Sequence, residues 1–195
     1  LIILIKFHSY LYKYYQNMEP NVFKKTYAIE MGKKLEKYVN KNYNMSTLNS
    51  NLSKLFRDIQ QNREVLTKIC QMQPSKNQLE QNRLIFITYL NELLTLKSKM
   101  IFGKQPYSCS ICFKWTDTIK GKEWESYNIL FEIYNVLFNL GILYFSLGVH
   151  YANEAGDDKN KNKESCNNYK TALGIFGVIK EEAYCRIAKN ELPYD

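Results

Sequence analysis

Two hydrophobic patterns meet in the segment from Ile111 to Tyr151. Apolar and polar residues alternate from Tyr107 to Thr116, which predicts a half-buried strand with one face on a core. A turn is predicted at Lys120–Lys122, and a long apolar run then predicts a helix from about Trp124 to Tyr151. We expect this strand and this helix to form the core around which the rest of the chain is organised.

The predicted core helix has so few polar positions that two environments fit it, the interior of a soluble domain and a lipid bilayer. Its polar residues recur at helical spacing and therefore share one stripe. They are Glu132, Asn135, Asn139 and Ser146. Lipid would leave these groups without hydrogen-bond partners, so the stripe favours the interior of a soluble domain. Gly141 and Gly148 lie seven residues apart on one face, which predicts close approach of a neighbouring helix.

Two helices are predicted ahead of this core from the spacing of their apolar residues. The first runs from about Tyr27 to Asn42 and carries lysines on its other face. Ser46 or Thr47 can cap the second helix, because a hydroxyl accepts a hydrogen bond from an unpaired amide of the first turn. A short strand is predicted near the start of the chain, either at Leu1–Phe7 or near Val22–Lys24.

The third predicted helix begins with a capping box, in which Ser75 caps the first turn and Gln78 reaches back to the backbone. Gly103 is a suitable C-terminal cap for this helix. Beyond the core helix, residues 156–163 are predicted to form a polar loop, and a last helix carries apolar residues from Tyr169 to Ile187. The pattern therefore predicts five helices, little sheet and a single domain over residues 1–195, since no linker is long enough to divide it.

The chain has 195 residues, a net charge of +8 and 14% aromatic residues. This composition predicts a folded domain, and the charge suits anionic partners such as acidic peptides, lipid surfaces or nucleic acid. Lys33, Lys34 and Lys37 lie beside Tyr38 on the first helix, yet no recognition-helix or RNP-like pattern accompanies them. We therefore expect no nucleic-acid partner. The five cysteines are odd in number and widely spread, which favours a reducing compartment.

Cys109 and Cys112 form the only CxxC pair of the sequence. An odd spacing on a strand directs two side chains to opposite faces, and no second pair completes a zinc site. The sequence also lacks a Gly-rich phosphate loop, a nucleophile elbow and a zincin motif. His8 and His150 have no paired carboxylate motif for acid–base chemistry. We expect no metal, no cofactor and no enzymatic activity.

Three segments, in order along the chain, resemble the BRO-one (BRO1) domain family of the ALIX and PalA type. They are Phe113–Ile119, with an aromatic–x–Trp–x–Asp pattern, Phe131–Leu143 and Tyr169–Glu181. Val22–Thr26 resembles the first strand of the family, and the resemblance runs from about Val22 to Glu182. The family-motif residues in these segments are Phe113, Trp115, Asp117, Phe131, Glu132, Phe138, Asn139, Tyr169 and Phe176.

The resemblance implies a mainly helical, banana-shaped domain with a TPR-like core of helical hairpins and a small N-terminal antiparallel sheet. It implies a non-enzymatic adaptor that binds the C-terminal helix of an ESCRT-III subunit in a groove. Such adaptors act in endosomal sorting, multivesicular body formation and membrane scission, and are cytoplasmic and peripheral at endosomes. The resemblance covers only the first half of the family's domain, and the chain begins at Leu1, so we expect a truncated domain.

The resemblance also implies site residues. By position, Asp158 and Lys163 fall near the places where the family contributes an acidic and a basic contact to its partner. A basic outer face that includes Lys33, Lys34 and Lys37 is expected to face an anionic endosomal membrane.

The alternative to this adaptor is a membrane-associated or oligomerising helical module with no ESCRT role. In the first version the segment Ile129–Val149 inserts into a membrane. In the second version, helices that lack the other half of a domain expose an apolar face, which pairs with another copy.

Overall fold

The computed structural model of the protein describes residues 23–43, 50–72, 75–116 and 121–187. Within these ranges the fold consists of five helices and a small antiparallel sheet, which confirms the predicted fold class. The elements in chain order are β1 (Lys25–Thr26), α1 (Met31–Tyr43), α2 (Ser50–Ile69), α3 (Lys76–Lys99), β2 (Phe113–Thr116), β3 (Glu123–Ser126), α4 (Ile129–Ala155) and α5 (Lys159–Ile187). The strand predicted at Leu1–Phe7, the caps predicted at Ser46 and Thr47, and Asp117 lie outside the described residues.

The sheet has the order β1-β2-β3, and both pairings are antiparallel. In the middle strand, Trp115 lies opposite Thr26 on one side and opposite Trp124 on the other. Phe113 and Trp115 are buried, whereas Lys114 between them is exposed. The apolar face of β2 therefore lies on the core, as the alternation in the sequence predicts.

The strand predicted over Tyr107–Thr116 is shorter in the structure, because only Phe113–Thr116 pairs within the sheet. Residues 103–108 form bends and turns instead. Pro106 lies among them, and its nitrogen cannot donate a ladder hydrogen bond. Burial nevertheless alternates from Cys109 onwards, so the period of two is correct for the second half of the predicted strand.

Two helix starts show how local hydrogen bonds set the boundaries. The predicted capping box of α3 is present, and the Ser75 N–H donates to Gln78 Oε1 at 2.8 Å. Asn128 caps α4, because its side chain accepts a hydrogen bond from the Leu130 N–H at 2.9 Å. The predicted start of this helix at Trp124 is wrong, since Trp124 pairs with β2 as part of β3.

Two other helix ends also differ from the prediction. Helix α1 starts at Met31 and not at Tyr27, and the Tyr27 carbonyl instead accepts a hydrogen bond from Arg63 at 2.7 Å. Helix α3 ends before Met100, which has an extended backbone, so Gly103 is not its cap. At these two ends, tertiary contacts and backbone conformation set the helix boundary, and the spacing of apolar residues does not.

Helix α4 is the one helix among the described residues that is long and apolar enough to cross a membrane. Its most apolar window has a mean hydropathy of 1.5, and 72% of that window is buried inside the protein. Its polar residues Glu132 and Asn139 are fully buried and hydrogen-bonded to other elements. This packing favours the predicted core helix over a membrane span.

Helices α4 and α5 form an antiparallel hairpin, which is the most extensive helix contact in the described part of the chain. The Ser165 hydroxyl donates to the Gly148 carbonyl at 2.8 Å. A Cβ atom built on Gly148 would lie 2.8 Å from the Tyr169 ring, and one built on Gly141 would lie 2.8 Å from the Phe176 ring. The predicted close approach of a neighbouring helix at these glycines is confirmed.

Candidate functional site

A buried carboxylate on α4, Glu132, joins the helices to the sheet. The Trp115 indole N–H donates to Glu132 Oε2 at 2.6 Å, and the Tyr89 hydroxyl donates to Oε1 at 2.9 Å. Arg63 Nε lies 3.1 Å from the same Oε1. All four side chains are at most 1% exposed. A buried charge is tolerated when it is paired and hydrogen-bonded, so this cluster fixes β2, α3 and α2 around α4.

Arg63 extends the cluster to the first strand. Its terminal nitrogens donate to the Tyr27 carbonyl at 2.7 Å and to the Thr26 hydroxyl at 2.9 Å. Burial acts to lower the pKa of Arg63, but the attraction of the Glu132 carboxylate and the other groups around it outweighs burial, and the net pKa is raised. The guanidinium therefore stays charged and holds β1 against α2.

Asn139 holds the residue before β1 through a reciprocal pair of hydrogen bonds. Its side chain accepts from the Lys24 N–H at 2.8 Å and donates to the Lys24 carbonyl at 2.9 Å. It also donates to Cys70 Sγ at 3.2 Å. Burial raises the pKa of the Cys70 thiol to about 12 and raises the pKa of Tyr89 well above 10.0. Both groups stay neutral near pH 7, and their hydrogen bonds hold α4 against the elements around it.

The family-motif residues within the described ranges all contribute to this interior or to the α4–α5 hairpin. The Phe138 and Phe176 rings meet edge to face at 5.7 Å, and Tyr169 lies 5.4 Å from the Phe145 ring. The ammonium of Lys24 lies 4.9 Å from the centre of the Phe138 ring. The remaining described motif residues are buried, or half-buried in the case of Phe131, and they are Phe113, Trp115, Phe131, Glu132 and Asn139.

The turn between α4 and α5 carries the predicted partner contacts. Asp158 Oδ1 accepts hydrogen bonds from the backbone N–H groups of Asn160 and Lys161, at 2.8 and 3.3 Å. Helix α5 begins directly after Asp158, so the polar loop is shorter than predicted, and Lys163 lies inside the helix. Both predicted residues are exposed at one end of the hairpin. Their role as partner contacts stays a prediction.

A closed loop between α3 and β2 carries the two most exposed large apolar side chains of the described residues. Ile101 is 69% exposed and Tyr107 is 78% exposed. The Cys109 N–H donates to the Ile101 carbonyl at 2.7 Å and closes the base of the loop. Exposed lysines flank Ile101 and Tyr107 in the sequence, and we call the end of α3 together with the loop that follows it, residues 97–107, the basic loop. These lysines are Lys97, Lys99 and Lys104.

The predicted membrane-facing lysines lie on α1 and are all exposed. Lys33 forms an ion pair with Glu30 at 2.8 Å, in which both side chains are largely exposed. The role of Lys33, Lys34 and Lys37 in membrane contact stays a prediction.

A cleft of ≈ 580 Å³ opens between α1 and α2 and is lined mainly by charged and amide side chains. Gln60 holds its two walls together, because it accepts from the Gly32 N–H at 3.0 Å and donates to the Ile29 carbonyl at 3.1 Å. In the part of the chain that the structure describes, no group of three His, Cys, Asp or Glu residues is placed to hold a metal ion.

Comparison with known proteins assigns this arrangement to a family. A family model for the BRO1-like domain matches residues 20–193, which is most of the chain. The chain belongs to the BRO1-like domain family. No curated protein sequence matches it significantly.

Solved structures carry the same BRO1-like fold. The ALIX BRO1 domain in complex with CHMP4C matches with a TM-score of 0.69 and 18% identity, over 91% of this chain and 48% of that chain. A Bro1 domain described for endosomal targeting matches with a TM-score of 0.62 and 17% identity, over 84% of this chain and 42% of that one. ALIX in complex with a late domain of SIVmac239 matches with a TM-score of 0.64 and 19% identity, over 86% and 24% of the two chains. This chain spans about half, or less, of these structures.

Sequence reasoning missed two residues that organise the BRO1-like interior, Arg63 and Tyr89. A signal for the first is visible in the sequence, because Arg63 falls at helical spacing between Ile59 and Leu66 on the apolar stripe of α2. A charge in such a position predicts a buried partner of opposite charge. Glu132, the only charged residue between Ile129 and Val149 on the core helix, is that partner.

Proposed function

We propose that this protein is a non-enzymatic adaptor that binds a helix of an ESCRT-III subunit. The observation that carries the proposal is the likeness to the ALIX BRO1 domain in complex with CHMP4C, which extends over 91% of this chain. The adaptor works at the cytoplasmic face of endosomes, in sorting, multivesicular body formation or membrane scission. In this proposal residues 1–195 act as a single domain.

The exposed end of the α4–α5 hairpin is the part of this adaptor that we expect to contact the partner helix. Lys163 offers an ammonium group, and Asp158 offers its second carboxylate oxygen, since Oδ1 is engaged in the helix cap. Exposed charges contribute little affinity each, so they orient an amphipathic helix whose apolar face supplies most of the binding energy.

Charge reversal at Lys163 tests this contact. We expect Lys163→Glu to weaken retention of CHMP4C by the immobilised protein several-fold, because repulsion replaces attraction at the end of the hairpin. Lys170→Glu is the matched control, since Lys170 is exposed on the same helix. Equal retention by all three proteins would remove this end of the hairpin from the binding site. Failure of all three to retain CHMP4C, while the ALIX BRO1 domain retains it, would overturn the adaptor function itself.

The basic loop favours a second function, contact with an anionic membrane surface. Ile101 and Tyr107 are large, apolar and strongly exposed, and three exposed lysines lie within four residues of one or the other in the sequence. Each basic residue close to an anionic leaflet contributes about 1 kcal/mol of attraction, and a tyrosine is suited to the interface between lipid and water. We infer that the side chains of Ile101 and Tyr107 enter the headgroup region while Lys97, Lys99 and Lys104 contact phosphate groups.

Sedimentation with vesicles tests the membrane contact. We expect the protein to bind vesicles of phosphatidylcholine and phosphatidylserine, and to release them as salt screens the lysines. Replacing Ile101 by Ser should reduce binding, whereas replacing Met72 by Ser should not, because Met72 is similarly exposed at 59% but lies outside the basic loop. Salt-independent binding, or an equal effect of the two substitutions, would contradict this function.

A further inference from the structure

Tyr107 is open to solvent in the turn that follows Pro106 in the basic loop. It is 78% exposed, and the Ser108 N–H donates to the Gln105 carbonyl at 3.0 Å, so the residues around it form a tight turn. The neighbouring Ser108 hydroxyl is engaged, since it donates to the Gln105 carbonyl at 2.7 Å. Within the described residues, the Tyr107 hydroxyl has no hydrogen-bond partner.

We propose that Tyr107 is a phosphorylation site that switches the basic loop off the membrane. An ATP-dependent tyrosine kinase transfers the γ-phosphoryl group of ATP to Tyr107 Oη. The bond between the γ-phosphorus and its bridging oxygen breaks and ADP leaves, a new O–P bond forms, and the phenol proton passes to a base of the kinase. A phosphatase reverses the change by hydrolysis. This proposal rests on the membrane contact proposed above.

The physical effect of the phosphate follows from its charge. A phosphotyrosine carries between about −1.5 and −2 charges at pH 7. Close in sequence to Lys97, Lys99 and Lys104, it opposes the positive charge that attracts an anionic leaflet. It also converts an exposed aromatic side chain into a dianion, which anionic headgroups repel. One modification therefore removes both the electrostatic and the apolar part of the contact.

Other tyrosines near the sheet and α1 lack this combination. The Tyr27 hydroxyl is already hydrogen-bonded to Glu123 and to Thr116. Tyr43 is 61% exposed, but it lies at the end of α1 and outside the basic loop. Tyr43 is therefore the matched control for Tyr107. Its phosphorylation adds the same charge to an exposed tyrosine outside the basic loop.

The test compares site-specific phosphotyrosine at position 107 with phosphotyrosine at position 43, each introduced into the whole chain. Vesicles of phosphatidylcholine and phosphatidylserine are the probe. We expect phosphotyrosine 107 to weaken vesicle binding about tenfold or more, because it offsets the charge of at least one lysine and removes an apolar contact. Phosphotyrosine 43 should weaken binding much less, because its charge lies outside the basic loop.

Incubation of the folded protein with ATP and a recombinant tyrosine kinase, followed by mass spectrometry, tests access. We expect phosphate on Tyr107 and none on Tyr27. Absence of phosphate on Tyr107, or equal vesicle binding by the proteins modified at 107 and at 43, would overturn the switch. Failure of the unmodified protein to bind vesicles would instead overturn the membrane contact on which the switch rests.

Discussion

Trp115 donates its indole N–H to Glu132 across 2.6 Å, so the middle strand of the sheet is hydrogen-bonded to the core helix inside the protein. The same carboxylate also meets Tyr89 and Arg63, and none of these groups is open to solvent. A buried pair of charges is not in itself a source of stability, but losing one partner is costly. The pair therefore specifies how the sheet and helices fit together.

Glu132→Gln should destabilise the protein by about 3–5 kcal/mol, because it leaves the Arg63 charge buried without a counter-charge. The free energy of unfolding in urea measures this loss. Glu125→Gln is the control, since it removes an ion pair with Lys114 in which both side chains are more than half exposed, and it should leave the urea midpoint unchanged.

A double substitution separates the loss of a partner from the loss of packing. Replacing both Glu132 and Arg63 by apolar residues of similar volume should recover much of the stability that Glu132→Gln removes. A double variant that is no more stable than the single one would show that hydrogen bonds to the sheet, and not the unpaired charge, dominate the cost.

Gly141→Ala and Gly148→Ala should each destabilise the α4–α5 hairpin by about 1–3 kcal/mol, because the added methyl group overlaps an aromatic ring. Gly174→Ala and Gly177→Ala on α5 are matched controls, since a Cβ there meets no atom within 4 Å. The controls should stabilise the protein by up to about 1 kcal/mol through helix propensity. Thermal unfolding measures the stability of the four variants. A change of stability in the same direction in all four would contradict the close approach of α5 to Gly141 and Gly148.

Stability should fall in alkali because of Cys70. Burial raises the pKa of its thiol from 9.0 to about 12, so the folded state keeps a proton that the unfolded state releases first. The stabilisation is complete below about pH 9 and is lost as the pH rises towards 12, by about 1.4 kcal/mol per pH unit. As the pH rises from about 9 to about 12, the urea midpoint should fall less steeply for Cys70→Ala than for the wild type. Cys166→Ala, at an exposed position, should follow the wild type.

The core of the fold was predictable because its patterns are long and consistent. The alternation through Phe113 and Trp115 and the apolar run of α4 both lead to buried faces in the structure. The two close-contact glycines were also predictable, because a residue that weakens a helix needs a compensating contact. Long periodic signals average over many residues, so local chemistry does not easily overturn them.

Element ends and surfaces were less predictable. Trp124 continues the apolar period of the core helix, but its pairing with β2 and the cap at Asn128 decide the helix start. Tyr107 fits the alternation of a strand, yet it lies in a turn with Pro106 and is exposed. These outcomes depend on partners far away in the sequence or on turn geometry, which a hydrophobic pattern does not encode.

Partner binding is the central claim, and a titration measures it directly. A fluorescently labelled C-terminal helix of CHMP4C is titrated with this protein, with the ALIX BRO1 domain as the positive control, and anisotropy is recorded. We predict saturable binding that unlabelled peptide reverses and that Lys163→Glu weakens. A flat anisotropy curve for this protein, under conditions in which the ALIX domain saturates, would contradict the adaptor function.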